Sequence, residues 1–428
     1  MKRGFYTIMA AQFFSSLADN ALFVAAVEML RRNGATDWQQ AALVPMFALF
    51  YVLLAPWVGA FADSRPKGWV MFLSNAIKIV GCVLMLFGGH PLLAYAVVGL
   101  GAAAYSPAKY GILTELLPPT QLVKANGWIE GLTIASIILG VVLGGQLVSP
   151  HLSSWLLSFD VPYIDTGIDQ PAQAAIAGLV FVYAIAAAIN LWIPRTGVKM
   201  RRLPRRAMWL LLPDFWRCNR RLWHDRLGQI ALATTTLFWG VSGNMRYIVL
   251  AWAAVALGYG TTQASNLVGV VALGTAVGAV AASMRVRLDR ATAVLPLGLL
   301  MGVLVAAMVL VRHLGVAVPF LVLLGALGGF IVVPMNALLQ HRGHNLMGAG
   351  RSIAVQNFNE QAAILVLGAF YSAATGLGLP AFGAIALFGA VVVVMMALIL
   401  RWNRNNRRHH TAELERLLEL ARSNRLHH

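Results

Sequence analysis

The stretch FFSSLADNALFVAAV (Phe13–Val27) is apolar enough to lie in a bilayer, yet it carries an aspartate, Asp19, near its centre. Two further apolar stretches repeat the anomaly. GAAAYSPAKYGIL (Gly101–Leu113) holds Lys109, and LFWGVSGNMRYIVLAW (Leu237–Trp252) holds Arg246. A charge at membrane depth costs at least about 2.5 to 3.5 kcal/mol on insertion scales, so chains keep such residues where they face a water-filled cavity or one another. The three therefore predict a polar site inside a bundle of membrane-spanning helices. One acid and two bases suit a substrate carrying both a phosphate and an amine, and such a bundle moves something polar across the membrane.

The rest of the chain reads the same way. Of its 428 residues, 59% are hydrophobic and 11% charged, against roughly 25% charged in soluble domains. A helix needs about 20 apolar residues to span, and twelve stretches qualify. They are Phe5–Leu30, Gln40–Ala62, Trp69–Phe87, Leu92–Leu113, Leu122–Val148 and Ala172–Ile193, then Leu227–Leu257, Ser265–Met284, Ala293–Val311, Val316–Gln340, Ser352–Thr375 and Leu379–Trp402. The start MKRGFYTIMAAQFFSS has no signal-peptidase site of small residues and is interrupted by Asp19, so the first span is read as uncleaved.

A net charge of +17 raises the question of nucleic acid, but the placement of the charge argues against it. With the amino terminus inside, the predicted cytoplasmic segments hold Lys2, Arg3, Arg65, Lys67, Lys124, Arg285, Arg287, Arg290, Arg342 and Arg351. They also hold ten bases between Arg195 and Arg226 and seven from Arg401 onward. The opposite loops show Arg31, Arg32 and Arg312, and the Pro150–Pro171 loop carries only acids, Asp160, Asp165 and Asp169. This is the positive-inside asymmetry. It predicts a multi-pass protein with both termini cytoplasmic, whose basic runs orient it and touch lipid headgroups. Cys82 falls in a span and Cys218 in the linker, so no disulfide is expected. No His, Cys or carboxylate grouping has metal-ligand spacing; HRGH (His341–His344) reads as a solvated loop pair. No cofactor is called for.

Internal similarity divides the chain. FSSLADNAL aligns with FWGVSGNMR, matching Asn20 to Asn244; VGAFADS (Val58–Ser64) aligns with VGAVAAS (Val277–Ser283); and Pro107 aligns with Pro334, at nearly constant offset. Such repeats mark transporter folds. The expected organisation is a six-helix bundle over residues 1–194, a basic linker over 195–225, a second bundle over 226–404 and a basic tail over 405–428. The linker stretch MWLLLPDFWRCNRRLW (Met208–Trp223) is amphipathic and suited to lying on the membrane surface. Twelve spans in two halves around a basic linker describe the major facilitator architecture. The turn GAFADSRPKG (Gly59–Gly68) resembles that superfamily's signature loop. Its Asp63, Arg65 and Lys67 can bridge spans in one conformation and part in the other.

The most specific string is AYSPAKYGILTEL (Ala104–Leu116), in which Pro107 removes a backbone hydrogen bond two residues before Lys109. Together with LADNAL (Leu17–Leu22), VKANG (Val123–Gly127), PMNALLQ (Pro334–Gln340) and AVQNFNE (Ala354–Glu360), it resembles the bacterial lysophospholipid transporters of the major facilitator superfamily over nearly the whole chain. The resemblance implies flipping of lysophospholipids from the outer to the inner leaflet of the bacterial inner membrane. It also implies a partner, an acyltransferase–acyl-carrier-protein synthetase that restores the missing chain. No soluble domain follows His428, so that enzyme is expected as a separate chain, and the transporter is read as a monomer and not an enzyme.

The residues suit such a substrate. Its phosphate would meet Lys109 and Arg246, an ammonium would meet Asp19, Glu130 or Glu360, and the glycerol hydroxyl would meet Asn20, Asn244, Gln356 or Asn357. Asp63, Arg65, Lys67, Glu115 and Arg351 are the expected gate, with Arg342 and Glu360 near it. Other readings stand beside these. Asp19 and Arg246 can form an ion pair joining the halves, and Lys109 can pair with Glu115. Glu130 and Glu360 can serve closure, Lys78 can snorkel, and Asn126, Gln356 and Asn357 can bond helix to helix. Gly131, Gly140, Gly144 and Gly145 partly resemble a glycine motif of drug–proton antiporters, so a proton-coupled multidrug or metabolite exporter is the alternative function.

Overall fold

The computed structural model describes residues 3–34, 43–158, 167–198, 200, 208–259 and 261–422. In hydrocarbon every backbone polar group must be satisfied within its own segment, and the apolar stretches accordingly form helices. The first half holds α1 (Arg3–Arg32), α2 (Leu43–Leu53), α3 (Ala55–Ser64), α4 (Lys67–Leu86), α5 (Pro91–Leu116), α6 (Pro119–Leu147), α7 (Pro150–Leu157) and α8 (Pro171–Leu191). The linker contributes α9 (Leu211–His224). The second half holds α10 (Gly228–Leu257), α11 (Thr261–Arg285), α12 (Leu295–Ala307), α13 (Leu314–Met347), α14 (Ala349–Gly376), α15 (Ala381–His409) and the short α16 (Thr411–Arg422).

Among the described residues nine helices, α12 together with its flanking 3-10 turns counted as one, can cross a membrane unaided, and bent pairs raise the tally to eleven. One pair is α2–α3, which turns by 69° around Leu54, because Pro56 has no N–H to give and its ring crowds the preceding turn. The other is α10, which bends by 44° just after Arg246. The twelfth span is α14. Its 28 residues are long enough, but Arg351, Gln356, Asn357, Asn359 and Glu360 lower its hydropathy because they face protein rather than lipid. Lipid-facing surfaces expose large apolar side chains such as Phe87, Phe181, Trp192 and Leu310.

Several boundaries move. The second expected span begins at residue 40, outside the described residues. The tenth runs on to Met347, so HRGH is not a loop: His341 is 1% exposed inside α13. The expected tail is also structured, since α15 continues to His409 and α16 buries Leu414 and Ala421. In the acidic loop, α7 occupies Pro150–Leu157, while Asp160 and Asp165 lie outside the described residues.

The repeat is visible in detail. Pro107 and Pro334 both lie inside helices. Asn20 donates to the Ser16 carbonyl at 2.8 Å and its counterpart Asn244 to the Gly240 carbonyl at 2.7 Å, the same bond one turn back. Within the second half, Gly325 and Gly329 of α13 meet the backbone of α11 at Val271 and Thr275. Small residues there let the two backbones approach.

The halves are joined at one end, the linker face, where α1 begins and α9 lies. α9 buries Leu211, Phe215, Cys218 and Leu222 along one stripe and exposes Trp216. Phe215 packs edge-on to Phe358 of α14, and Trp57 of α3 donates to the Met208 carbonyl, so the linker touches both halves.

Candidate functional site

At the linker face, α14 begins where α13 ends, with Gly348 between them at φ 94° and no side chain capping it. A helix start leaves backbone amides without partners. Here they are met from the opposite half: Asp63 Oδ1 accepts from the Gly350 amide at 2.7 Å, and Oδ2 from the Arg351 amide at 3.0 Å. The Arg351 guanidinium reaches the same carboxylate at 3.5 Å and Asp214 of α9 at 3.1 Å. Lys67 donates to Asp63 at 3.0 Å and lies 3.4 Å from Glu115, which accepts from Thr196 at 2.6 Å. Two glycines permit this closeness. A Cβ on Gly59 would stand 2.7 Å from that of Ala354, and one on Gly350 would stand 2.6 Å from the Gly59 carbonyl oxygen.

Further inter-half bonds flank this latch. Asn126 and Gln340 exchange two amide bonds of 2.9 Å, both side chains being buried, and Thr114 meets His344 at 3.0 Å. Deeper in, Asn357 donates to Ser106 Oγ at 2.9 Å, near the middle of α5. No described hydrogen bond between the halves lies further from the linker face than this one.

Beside Ser106 and Asn357 lies a polar belt. Tyr110, one turn on from Ser106, donates to the buried Glu130 at 3.3 Å. Gln356 donates to Glu360 at 2.7 Å and to Asn336 at 2.9 Å. Glu130 and Glu360 thus sit on opposite halves, and neither takes part in a described ion pair. Lys109 is half-buried with its ammonium 4.3 Å from the Tyr110 ring centroid. It does not pair with Glu115, which Lys67 and Thr196 occupy. Arg246 is exposed and in no described ion pair.

Asp19 has a different setting from the expected one. Its Oδ2 accepts from Lys78 at 2.7 Å and its Oδ1 from the Tyr183 hydroxyl at 2.7 Å. Lys78 is 1% exposed, also donates to Ser15 at 3.0 Å, and lies over the Tyr105 and Tyr183 rings at 5.1 and 5.6 Å. Asp19 is therefore neutralised inside its own half, with its side chain 18% exposed. The Asp19–Arg246 pair does not form, and Lys78 does not snorkel. A lysine inside an apolar span is the same signal that marked Asp19, and read that way it would have found this partner.

Other assignments also move. Asn244 is engaged by the carbonyls of Gly240 and, at 3.1 Å, Ile364, so it ties α10 to α14, and Asn20 is turned onto its own helix. Arg65 has no described partner on the opposite half; it lies 5.7 Å from the ring centroid of Trp69. Arg342 and Glu360 are not at Asp63, for Arg342 forms a two-bond pair with Asp225 at 2.6 and 3.0 Å. Gly140 and Gly144 seat α6 against α1 at Leu17 and Ala21. That packing explains them without antiporter chemistry.

The family model of the Major Facilitator Superfamily matches residues 8–366. The lysophospholipid transporter LplT of Yersinia enterocolitica serotype O:8 / biotype 1B is 41% identical over 386 residues, covering 89% of both chains. That of Yersinia pestis (strain Pestoides F) is 41% identical over 381 residues with the same coverage. Among solved structures, the human organic anion transporter MFSD10 (TETRAN) superposes with a TM-score of 0.71 at 15% identity, over 93% of this chain and 100% of that one. A bacterial homologue of the iron transporter ferroportin gives 0.65 at 16%, over 94% and 100%. At such identities the structures speak to the fold alone. With the two bundles, the signature turn and these relatives, the chain belongs to the Major Facilitator Superfamily and, within it, to the LplT family.

Proposed function

We propose that the protein carries lysophospholipids from the outer to the inner leaflet of the bacterial cytoplasmic membrane by alternating access, with the linker face and both termini cytoplasmic. The observation that carries this reading is the state of Lys109 and Arg246. They are two cations on helices of opposite halves, and neither lies within ion-pair distance of a carboxylate among the described residues, the Glu130 charge acting on Lys109 from further off. An anionic group supplied by the substrate would match them, and a phosphate suits the arginine fork and the lysine point charge.

Glu130 and Glu360 are better placed than Asp19 for an ammonium. Their described hydrogen bonds come from the neutral groups Tyr110 and Gln356, whereas Asp19 already holds Lys78. Asn357 and Gln356 offer polar atoms for the glycerol hydroxyl. The single acyl chain stays among apolar side chains, since sheltering each CH₂ is worth about 0.8 kcal/mol, and a second chain would need twice the groove. Asp63, Lys67, Glu115 and Arg351 hold the linker face shut while substrate enters from the other side, and they part as it leaves. The 41% identity to proteins named lysophospholipid transporters supports the substrate class.

The protein acts as a monomer that does no chemistry on lipid, and an acyltransferase–acyl-carrier-protein synthetase restores the second chain. The test is translocation of labelled lysophosphatidylethanolamine and lysophosphatidylglycerol by the reconstituted protein, run beside dye efflux. Lysolipid movement without dye efflux is expected. Dye or metabolite efflux with no lysolipid movement would overturn the reading in favour of an exporter.

A further inference from the structure

Arg65 belongs to the signature turn, yet it contributes no described bond to the latch. It lines a cavity of about 280 Å³ at the linker face, together with Gly68 and Trp69 from the start of α4 and Asn190, Pro194 and Arg195 from the end of α8. We infer that this cavity is a seat for the phosphate of an anionic phospholipid of the adjoining leaflet, held between Arg65 and Arg195.

Three observations carry it. First, Arg65 and Arg195 are both exposed, and neither is in a described ion pair, so the two guanidiniums present uncompensated charge to one space. Guanidinium forks match phosphate oxygens. Gly68 adds the first turn of a helix, whose amides and dipole favour an anion. It also has no room for a side chain, because a Cβ there would stand 2.8 Å from the Asn190 carbonyl oxygen. Second, the surroundings are interfacial. Trp69 is 42% exposed, and Leu191 and Trp192 beside it are 58% and 77% exposed. Such a rim suits a ligand with acyl chains better than a free ion, and tryptophan prefers headgroup depth. Third, a cavity of about 280 Å³ has room for a phosphate headgroup. It takes a headgroup, leaving the chains in the bilayer. The seat adjoins the latch on both sides: Lys67 lies two residues from Arg65, and Thr196, next to Arg195, bonds Glu115.

The experiment uses the full chain in detergent with a fluorescent short-chain phosphatidylglycerol read by polarisation. Saturable binding is expected, displaced by unlabelled phosphatidylglycerol and far less by phosphatidylcholine, whose ammonium is repelled by the arginines. Arg65→Gln/Arg195→Gln should weaken it about 10-fold or more. Arg65→Lys/Arg195→Lys should restore most of the loss, and Arg312→Gln, on the opposite face, should change nothing. Unaltered unfolding temperature and gel-filtration behaviour would exclude misfolding as the cause. Wild-type affinity in the glutamine double variant would overturn the proposal. So would displacement by inorganic phosphate at the same concentration as phosphatidylglycerol, which would make this a free-phosphate site.

Discussion

Asp63 and Gly350 lie on opposite halves of the molecule, and the carboxylate accepts the glycine's amide at 2.7 Å. A side chain of one bundle thus serves as the missing cap of a helix in the other. The charge opposes the positive end of the α14 dipole, which favours anions, and two orphan amides are met at once. When the halves part at this face, those amides and the carboxylate must find water. Closure and opening therefore differ by a small number of identifiable bonds.

Asp63→Asn removes the charge and turns a donor toward amides that also donate. A lost hydrogen bond to a charged group costs roughly 1.5 to 3 kcal/mol, so the closed form should fall about 10-fold or more relative to the open one. Spin labels on Lys124 and Arg285, exposed at the linker-face ends of α6 and α11, should report longer distances. Transport should drop while lysolipid binding persists. Equal loss of both in folded protein would place Asp63 in the binding site.

Gly59→Ala is expected to act in the same direction by sterics. Its Cβ would meet the Ala354 Cβ at 2.7 Å and the Gly350 carbonyl oxygen at 3.0 Å, neither of which can swing away. The same spin-label pair should move apart. Gly131→Ala, with nothing within 4 Å of the added carbon, should leave the distances unchanged.

Lys78 and Asp19 form a buried pair, and removing one partner of such a pair typically costs about 3 to 5 kcal/mol. Asp19→Asn and Lys78→Met should each lower the unfolding temperature, and the double variant should be more stable than the sum of the two losses implies. Strictly additive losses would show that the two side chains do not depend on one another.

Arg246→Ala should weaken every lysolipid headgroup by about 10- to 100-fold, since all carry the phosphate. Because Arg246 is exposed and in no described ion pair, stability should change by no more than about 0.5 kcal/mol. Glu360→Gln should instead hurt the ethanolamine form more than the glycerol form. Lysolipid competition binding by the two variants decides both, and a uniform loss across headgroups for Glu360→Gln would remove it from ammonium recognition.

Much of this was legible in the residues. Spans follow from apolar length, because that length answers to the bilayer and not to partners in the fold. Asp63 and Arg351 were legible as residues that could bridge spans, through the turn that holds the aspartate, and the structure brings the two together across the halves. Arg65 and Arg342 were not separable from them: a basic segment looks alike whether a given arginine meets a carboxylate or lines a cavity. Asp19 was legible as exceptional, but its partner was misjudged. The choice between Lys78, 59 positions away, and Arg246 depends on how α1, α4 and α8 pack.

That this chain folds as twelve helices in two related halves around a basic linker, with charge placed where only a polar interior could hold it, follows from the residues alone. Hydrophobic length and charge placement are local quantities, readable one segment at a time. Which charges neutralise one another, which face is shut and which cations lack an ion pair among the described residues became visible only in the folded molecule. Those outcomes depend on distances of a few ångströms between side chains remote in sequence. Inside the packed bundle a buried polar group without a partner is costly, so those distances decide which groups are structural and which are left for a ligand.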